Sequence, residues 1–415
     1  PYLRAIGRWR GTTALQPRRI LILTNVFQSG DPGDYGRMMR DFAHGLLARG
    51  HEVRVAAAGG EPAEGRSDED RAWEARMARS LELFGQWKTG CRPTLHAQGE
   101  VAARNHRNLK RWRAELNEFR PDLILAGNLD LLGPNLVQAA LNNGFPVLHM
   151  LANAAPGYPT AMQPCSARYW IAPCSDWNGL ALRQGGYSPA RIETVYPGAR
   201  TDRFFRFILP DNTSLRICYS GLMLPGQGAH VLVQALKDLR NLGVDFRAEI
   251  AGEAPDPEYL EQLQEVVRQS GLGDKIRFSA NPERDAAAAL YARSNVFVFP
   301  SQCPEPFGIS QVEAMASGLV VVTSGTGGAK EVVRHGTDGL HFAAESAEDL
   351  ADKLRSLAQD GAAMTRLQRA AQARATEFSV DRACERIEEV MEAMLMLALT
   401  ETSEGIPLAA FEDAG

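Results

Sequence analysis

Apolar and polar positions alternate along the chain between two periods, one typical of buried strands and one typical of amphipathic helices. An apolar run over residues 19–24 ends in a Gly- and Asp-rich loop at residues 29–34. Apolar residues then recur every four positions until Gly50, and a new strand pattern starts at residues 53–55. Such strand–helix–strand units assemble parallel sheets with helices on both faces, so the pattern predicts an α/β fold.

The alternation stops near residue 210 and then restarts. A chain of 415 residues is also too long for a single hydrophobic core. We therefore predict two doubly wound Rossmann-like domains, at residues 1–210 and 211–379. The final helices are expected to cross back, with residues 380–400 packing on the first domain and residues 400–415 forming a tail. Strand patterns lie at residues 123–125, 147–151, 169–172 and 192–195, and then at 215–220, 245–251, 276–278, 296–300 and 319–323.

Two acidic residues stand out at the predicted cleft between the domains. In open parallel sheets ligands bind beyond the carboxyl ends of the strands, so the loops that follow strands are the places to search. Glu305 lies in the loop after the strand at 296–300, and Glu313 lies inside the following helix. Gly308 permits close backbone approach, and the free N–H groups near Ile309 favour a phosphate.

Two acids placed around a bound phosphate can each bind hydroxyl groups, one on a sugar and the other on a ribose. The same spacing also fits a loop acid and a helix acid that are both on the surface. Residue spacing alone supports these two interpretations equally.

Composition and charge narrow the classes of function. The net charge of −5 gives no reason to expect nucleic acid, and no apolar run reaches the roughly 20 residues that span a bilayer. Arg and Lys cluster at residues 104–113, but on an amphipathic helix, which favours a solvated face. The short apolar stretch at 393–399 faces a core, a partner or a membrane surface.

The six cysteines are scattered, so neither a disulfide framework nor a zinc site is indicated. Without an export signal, a cytoplasmic location is expected.

The acids belong to a longer motif that resembles a known family. Glu305 and Glu313 form an E-x7-E pair followed by Ala-Met-Ala-Ser-Gly. The segment resembles glycosyltransferase family 4, a group of retaining enzymes with the GT-B architecture. The resemblance extends to residues 49–53, 191–199 and 325–339, and covers nearly all of residues 18–395.

The resemblance implies a function and a role for each matching residue. The family binds a nucleoside diphosphate sugar as donor substrate, generally with no metal and no further cofactor. Glu305 would contact donor-sugar hydroxyls, the backbone of Phe307, Gly308 and Ile309 would lie along sugar and phosphate, and Glu313 would bind the ribose. The anomeric configuration is retained, with the leaving diphosphate accepting the proton of the acceptor.

The diphosphate loop departs from the family pattern. Gly221 and Gly228 match the pattern G-R-L-x-x-x-K-G, but Leu222 stands where Arg is usual and Gln227 where Lys is usual. Losing a charge partner for the leaving group costs several kcal/mol of transition-state stabilisation. The neutral hydrogen bond of Gln227 is weaker than a charge-assisted one. The candidate replacement cations, which are otherwise surface residues, are Lys330, Arg200 and Arg203.

The N-terminal domain offers fewer signals. Many relatives carry a His directed at the donor sugar, whereas here His149 precedes that position by three residues. His149 is therefore either a catalytic residue in the cleft or a buried strand residue. Loops at residues 25–36 and 153–159 are the candidate acceptor-side elements. Neither contains G-x-G-x-x-G, so no nicotinamide cofactor is expected.

Two functions remain open from the sequence. The first is a retaining glycosyltransferase acting on a glycan, a lipid-linked or a small-molecule acceptor, with possible peripheral contact at the inner face of a membrane. The second is a catalytically silent partner that binds a sugar nucleotide or glycan beside an active enzyme. Retention of Glu305, Gly308 and Glu313 favours the enzyme, and the departures at Leu222 and Gln227 favour the silent partner.

Overall fold

The computed structural model describes residues 16–25, 27, 34–58, 73, 76–88, 92–279 and 284–403. Most of the predicted loop at 25–36, Cys91 and residues 404–415 of the predicted tail lie outside these ranges.

The N-terminal domain is built on a parallel sheet whose central strands are apolar on both faces, as a sheet covered by helices on two sides requires. The strand order is β3-β2-β1-β6-β7-β8-β9. The strands are β1 (Arg19–Leu23), β2 (Glu52–Ala58), β3 (Met77–Leu81), β6 (Leu123–Ala126), β7 (Val147–Leu151), β8 (Tyr169–Pro173) and β9 (Arg191–Ile192), with a separate antiparallel pair β4 (Gly85–Lys88) and β5 (Arg92–Leu95). The helices are α1 (Asp34–Ala48), α2 (Gln98–Phe119), α3 (Asn135–Asn142), α4 (Asp176–Gln184) and the short connecting α5 (Thr201–Phe204).

The C-terminal domain repeats this plan around a six-stranded parallel sheet in the order β12-β11-β10-β13-β14-β15. The strands are β10 (Leu215–Ser220), β11 (Phe246–Ala251), β12 (Ile276–Ser279), β13 (Val296–Phe299), β14 (Val320–Thr323) and β15 (Leu340–His341). The helices are α6 (Ala229–Asn241), α7 (Pro257–Gln269), α8 (Arg284–Ala292), α9 (Ile309–Ala316), α10 (Ala347–Gln359), α11 (Gly361–Ala375) and α12 (Val380–Ser403). The predicted α/β class with two doubly wound domains is confirmed.

The last helix, α12, returns to the N-terminal domain and packs on α1. Gly45 makes this approach possible, because a Cβ atom there would lie 2.5 Å from Sγ of Cys384. Glu388 anchors the helix by accepting hydrogen bonds from Arg49 at 2.8 Å and from the buried ring of His51 at 2.9 Å. Ala393 and Met394 are buried in the same core, whereas Met396 is exposed. The beginning of the apolar stretch at 393–399 therefore contributes to the core of the first domain.

The basic cluster at residues 104–113 is a surface face, as its amphipathic pattern indicates. Arg107 and Arg111 both pair with Glu82 at 2.6 Å, and Arg104 pairs with Glu100 at 2.6 Å. These cations are therefore offset within the domain. In the described ranges, no helix has the length and apolarity needed to cross a membrane.

Candidate functional site

The loop that carries Glu305 is built on the carboxyl end of β13 and joined to the diphosphate loop. The Glu305 carboxylate accepts a hydrogen bond from Nε2 of Gln227 at 2.7 Å and from Oγ of Ser301 at 3.0 Å. Its backbone carbonyl accepts from the N–H of Gly328 at 2.7 Å. Three loops that follow β10, β13 and β14 therefore meet at Glu305, at the carboxyl edge of the sheet.

The diphosphate loop takes its shape from its glycines. Gly228 has a φ of 76°, and a Cβ atom there would lie 1.9 Å from the carbonyl oxygen of Pro300. At the other end, the N–H of Gly221 donates to the Ala251 carbonyl at 3.1 Å. The Gly226 carbonyl accepts from the N–H of Gln302 at 2.8 Å, which fastens this loop to the one carrying Glu305. Leu222 and Gln227 are both half-buried in it.

Helix α9 begins at Ile309, and Gly308 is its N-cap residue. Gly308 has a φ of 83°, and the ring of Phe299 would lie 2.9 Å from a Cβ atom at that position. Phe307 and Ile309 are buried on either side, so the backbone of this segment is held firmly. Its unpaired N–H groups are available to an anion, as at other helix N-termini.

Glu313 is buried in α9, with only 2% of its surface exposed. It lies close to Tyr291, whose pKa burial raises well above its usual value and the charge of Glu313 raises further. Tyr291 is therefore protonated and able to donate a hydrogen bond. A buried acid next to a phenol is the environment expected for binding hydroxyl groups rather than for a surface acid.

Among the cations, Lys330 is exposed on the turn Gly328–Glu331, next to the glycine that binds the Glu305 carbonyl. Arg200 donates to Asp202 at 3.0 and 3.1 Å, which fits the surface interpretation. A cation that the sequence did not indicate is Arg37 on α1. Its positive charge lowers the pKa of Tyr291 and so partly opposes the effect of burial.

His149 lies in β7 and is completely buried. Its Nδ1 hydrogen-bonds the hydroxyl of Tyr169 at 2.8 Å, and its ring stacks on Tyr158 at 6.1 Å. Burial lowers the pKa of His149 to about 4, so the ring is neutral at physiological pH. Of the two positions that the sequence left open, the structure shows the buried strand residue. The ring has no exposed surface, and a catalytic role for His149 stays a prediction.

Asn25 and Asn153, in the two candidate acceptor-side loops, make polar contacts near the carboxyl ends of neighbouring strands. Asn25 donates to Asp130 at 2.5 Å, across the carboxyl ends of β1 and β6. The carbonyl of Asn153 accepts from Nδ2 of Asn178 at 3.1 Å, while the Asn153 side chain itself is exposed. An exposed amide at this edge is available to a bound molecule.

The contacts of two polar residues of the site, Gln311 and Glu331, could not be predicted from the sequence. Gln311 is fully buried in α9, and its amide lies 3.4 Å from the carbonyls of Phe307 and Ala329, so it joins α9 to the turn after β14. Glu331 binds the other domain. Its carboxylate accepts from the backbone N–H groups of Asp176 and Trp177 at 3.0 and 2.7 Å, in the first turn of α4. The E-x7-E motif itself contains Gln311, but no local pattern indicates its partner.

Replacing Glu331 with Ala is expected to destabilise the protein by about 1–2 kcal/mol, because two N–H groups at the start of α4 lose their acceptor. The hydroxyl of Tyr196 loses the same acceptor, at 2.8 Å. Denaturant unfolding measures the change in free energy. Glu348→Ala, an exposed acid in the first turn of α10, is the matched control. Equal stabilities of the two variants would show that Glu331 does not join the domains.

No group of three His, Cys, Asp or Glu residues in the described part of the chain is arranged to hold a metal ion.

Two family models match the chain in tandem. Residues 35–203 match Glycosyltransferase Family 4, and residues 201–374 match Glycosyl transferases group 1. Their boundary falls in the segment that follows the last strand of the first sheet.

Two curated relatives match the chain over different lengths. A GDP-mannose-dependent alpha-(1-6)-phosphatidylinositol monomannoside mannosyltransferase of Mycobacterium tuberculosis is 30% identical over 188 residues, covering 41% of this chain and 48% of that protein. The glycogen synthase of the same organism is 25% identical over 379 residues, covering 86% and 90%. The match thus spans about half the length of the mannosyltransferase and most of the synthase.

Solved structures share the fold. HepE of Anabaena, in complex with UDP and glucose, is 20% identical with a TM-score of 0.67, covering 90% of this chain and 100% of that one. A glycosyltransferase from Rickettsia africae is 18% identical with a TM-score of 0.73, covering 92% and 99%. The predicted GT-B architecture, with its two Rossmann-like domains, is confirmed. With its two matched models, its paired acids and this fold, the chain belongs to glycosyltransferase family 4.

Proposed function

We propose that this chain is a retaining glycosyltransferase that transfers a hexose from a nucleoside diphosphate sugar to a glycan, lipid-linked or small-molecule acceptor. The observation that carries the proposal is the pair formed by Glu305 and Glu313 on either side of the N-terminus of α9. Glu305 is held by Gln227 and Ser301 at the cleft, and Glu313 is buried beside Tyr291. The mannosyltransferase relative uses GDP-mannose and HepE binds UDP and glucose, which supports this class of donor.

In the proposed reaction, an acceptor hydroxyl oxygen bonds to the anomeric carbon on the face from which the diphosphate departs. The bond between that carbon and the phosphate oxygen breaks, and the diphosphate keeps the electron pair. The leaving diphosphate also accepts the proton of the acceptor hydroxyl. The products are a glycoside with retained configuration and a free nucleoside diphosphate.

This chain differs from its family in the residues that are expected to stabilise the leaving diphosphate. Leu222 and Gln227 bring no charge, so the proposal assigns the stabilisation to the N-terminus of α9, the glycine-rich backbone and a cation from elsewhere. Lys330 and Arg37 are the candidates, the first by its position beside Gly328 and the second by its effect on Tyr291. The proposed reaction uses neither a metal ion nor a further cofactor.

The experiment that tests the proposal is calorimetric titration with a panel of nucleoside diphosphate sugars, followed by rate measurements with the donor that binds. Binding together with product of retained configuration would support a transferase. Leu222 and Gln227 specifically favour the silent partner, and this alternative predicts donor binding without hydrolysis or transfer to any acceptor. A folded protein that binds no donor would contradict both functions.

Gln227→Lys is expected to tighten donor binding by about fivefold to tenfold, because a charge-assisted hydrogen bond is roughly twice as strong as a neutral one. The ammonium group would keep the contact with Glu305 and place a positive charge beside the diphosphate. Calorimetric titration measures the change. Gln269→Lys on α7 is the matched control, because it adds the same charge at an exposed residue whose amide also bonds a glutamate, Glu265. Unchanged affinity in Gln227→Lys, or an equal gain in Gln227→Lys and Gln269→Lys, would show that no local charge is missing.

A further inference from the structure

The segment between the two domains presents an exposed apolar tip. Phe207 is 95% exposed and Ile208 is 81% exposed. Phe205 is also exposed and packs edge-on against Phe207, with ring centroids 5.3 Å apart. Isolated apolar residues are common on protein surfaces, but neighbouring large side chains with almost no cover mark an interaction site.

The tip is held in place by contacts on both sides. Phe204 is buried and packs on Tyr291 of α8, with ring centroids 5.8 Å apart. Nη1 of Arg206 donates to the carbonyl of Ala292 at 2.7 Å, at the end of the same helix. The Arg206 carbonyl in turn accepts from Nε2 of Gln372 at 2.8 Å. Phe207 and Ile208 are therefore displayed from a fixed base.

A basic cavity of about 350 Å³ opens at the amino ends of β10, β11 and β12. Arg216 and Arg247 are direct neighbours on paired strands, and Arg277 is the neighbour of Glu249 on the next pair. Within the described ranges, no carboxylate forms an ion pair with Arg247 or Arg277. The charged residues of the lining are Arg216, Arg247, Lys275, Arg277 and Arg293, against Glu249 and Asp274.

The apolar tip and the basic cavity lie around the same point of the fold. Arg206, next to Phe207, bonds the Ala292 carbonyl at the end of α8. The backbone carbonyl of the following residue, Arg293, accepts a hydrogen bond from Nε of Arg216 at 3.0 Å. Both arginines line the cavity. This cationic region stands out in a chain whose net charge is −5. Arg216 and Arg293 are ion-paired with Asp211 and Glu249, whereas Arg247 and Arg277 are exposed. We name Phe207, Ile208, Arg247 and Arg277 together the tip surface.

We propose that the tip surface docks this protein on an anionic phospholipid membrane. Phe207 and Ile208 would enter the boundary between headgroups and acyl chains, where aromatic and aliphatic side chains are stable. Arg247 and Arg277 would lie over the lipid phosphates, where cations are attracted by the negative surface. The apolar interface of a protein partner would not match so many charged side chains, since interface cores are depleted of charge. The proposal does not depend on the transfer reaction, because it concerns a surface outside the cleft.

The test is co-sedimentation of the full chain with vesicles of phosphatidylcholine alone and of phosphatidylcholine mixed with phosphatidylglycerol. Binding to the mixed vesicles only is expected, and it should weaken as salt is raised. The double variant Phe207→Ser with Ile208→Ser should abolish most of the binding. Arg247→Gln and Arg277→Gln should each weaken it by about fivefold, the usual effect of one cation near such a surface.

Matched controls separate docking from general changes of charge or hydrophobicity. Leu180→Ser removes an apolar side chain that is 53% exposed on α4 of the other domain. Lys110→Gln with Arg113→Gln removes two exposed cations from α2. Controls that lose binding as strongly as the tip variants would overturn the proposal, as would a wild-type protein that stays in the supernatant with both vesicles. Light scattering that shows a dimer dissociated by Phe207→Ser with Ile208→Ser would overturn it too, by making the tip a dimer contact.

Discussion

Glu305→Gln is expected to lower kcat by about 100- to 1,000-fold while leaving the affinity for the free nucleoside diphosphate unchanged. Positive charge develops on the donor sugar as its bond to the diphosphate breaks, and hydrogen bonds from sugar hydroxyls to a carboxylate strengthen with it. An amide of the same size keeps the shape of the loop but removes that charge. The Glu305 carboxylate accepts hydrogen bonds from Gln227 and Ser301. The amide of Gln has only one oxygen that accepts, and its NH2 group donates.

The measurement is the initial rate of transfer with the donor selected by calorimetry, together with titration of the matching nucleoside diphosphate. Glu348→Gln, on the exposed first turn of α10, is the control and should keep the wild-type rate. An unchanged kcat in Glu305→Gln would remove Glu305 from the site. Weaker binding of the nucleoside diphosphate by Glu305→Gln would show that Glu305 contacts the nucleotide and not the sugar.

The central strands of both sheets could be predicted because a strand that is buried on both faces is a continuous apolar run in the sequence. β6 (Leu-Ile-Leu-Ala) and β13 (Val-Phe-Val-Phe) are buried at every position. β3 could not be found in this way, since it is an edge strand with the sequence Met-Ala-Arg-Ser-Leu and only its last residue is buried. β15 was missed for a related reason, because two residues are too short for a period.

The candidate site could also be predicted only in part. The spacing of Glu305 and Glu313 is local, so the loop and helix that carry them could be placed from sequence. The hydrogen bond between Gln227 and Glu305 joins residues 78 positions apart, and the one between Glu331 and Trp177 joins residues 154 apart. Such contacts depend on how strands are ordered in a sheet and how domains meet, which no short pattern contains. His149 illustrates the same limit, because an alternation pattern does not show how deeply a strand lies in the sheet.

The surroundings of Glu313 make it the residue on which nucleotide binding should depend most. It is buried in the short helix α9, and the buried Tyr291 beside it is kept protonated by a raised pKa. A carboxylate in this position can accept hydrogen bonds from both hydroxyls of a ribose. Because water is largely excluded, each of those bonds is stronger than it would be at the surface.

Glu313→Gln is expected to weaken binding of the free nucleoside diphosphate and of the sugar nucleotide alike, by about 10- to 100-fold, the range for hydrogen bonds to a charged group. The contrast with Glu305→Gln is the informative result, since that change should affect only the sugar nucleotide and the rate. Calorimetric titration of each variant with both ligands measures it. Ser317→Ala is the matched control, because it removes a buried hydrogen bond of 3.0 Å to the Glu313 carbonyl at the far end of α9. If Ser317→Ala lost as much affinity as Glu313→Gln, the effect would come from the helix and not from a ribose contact.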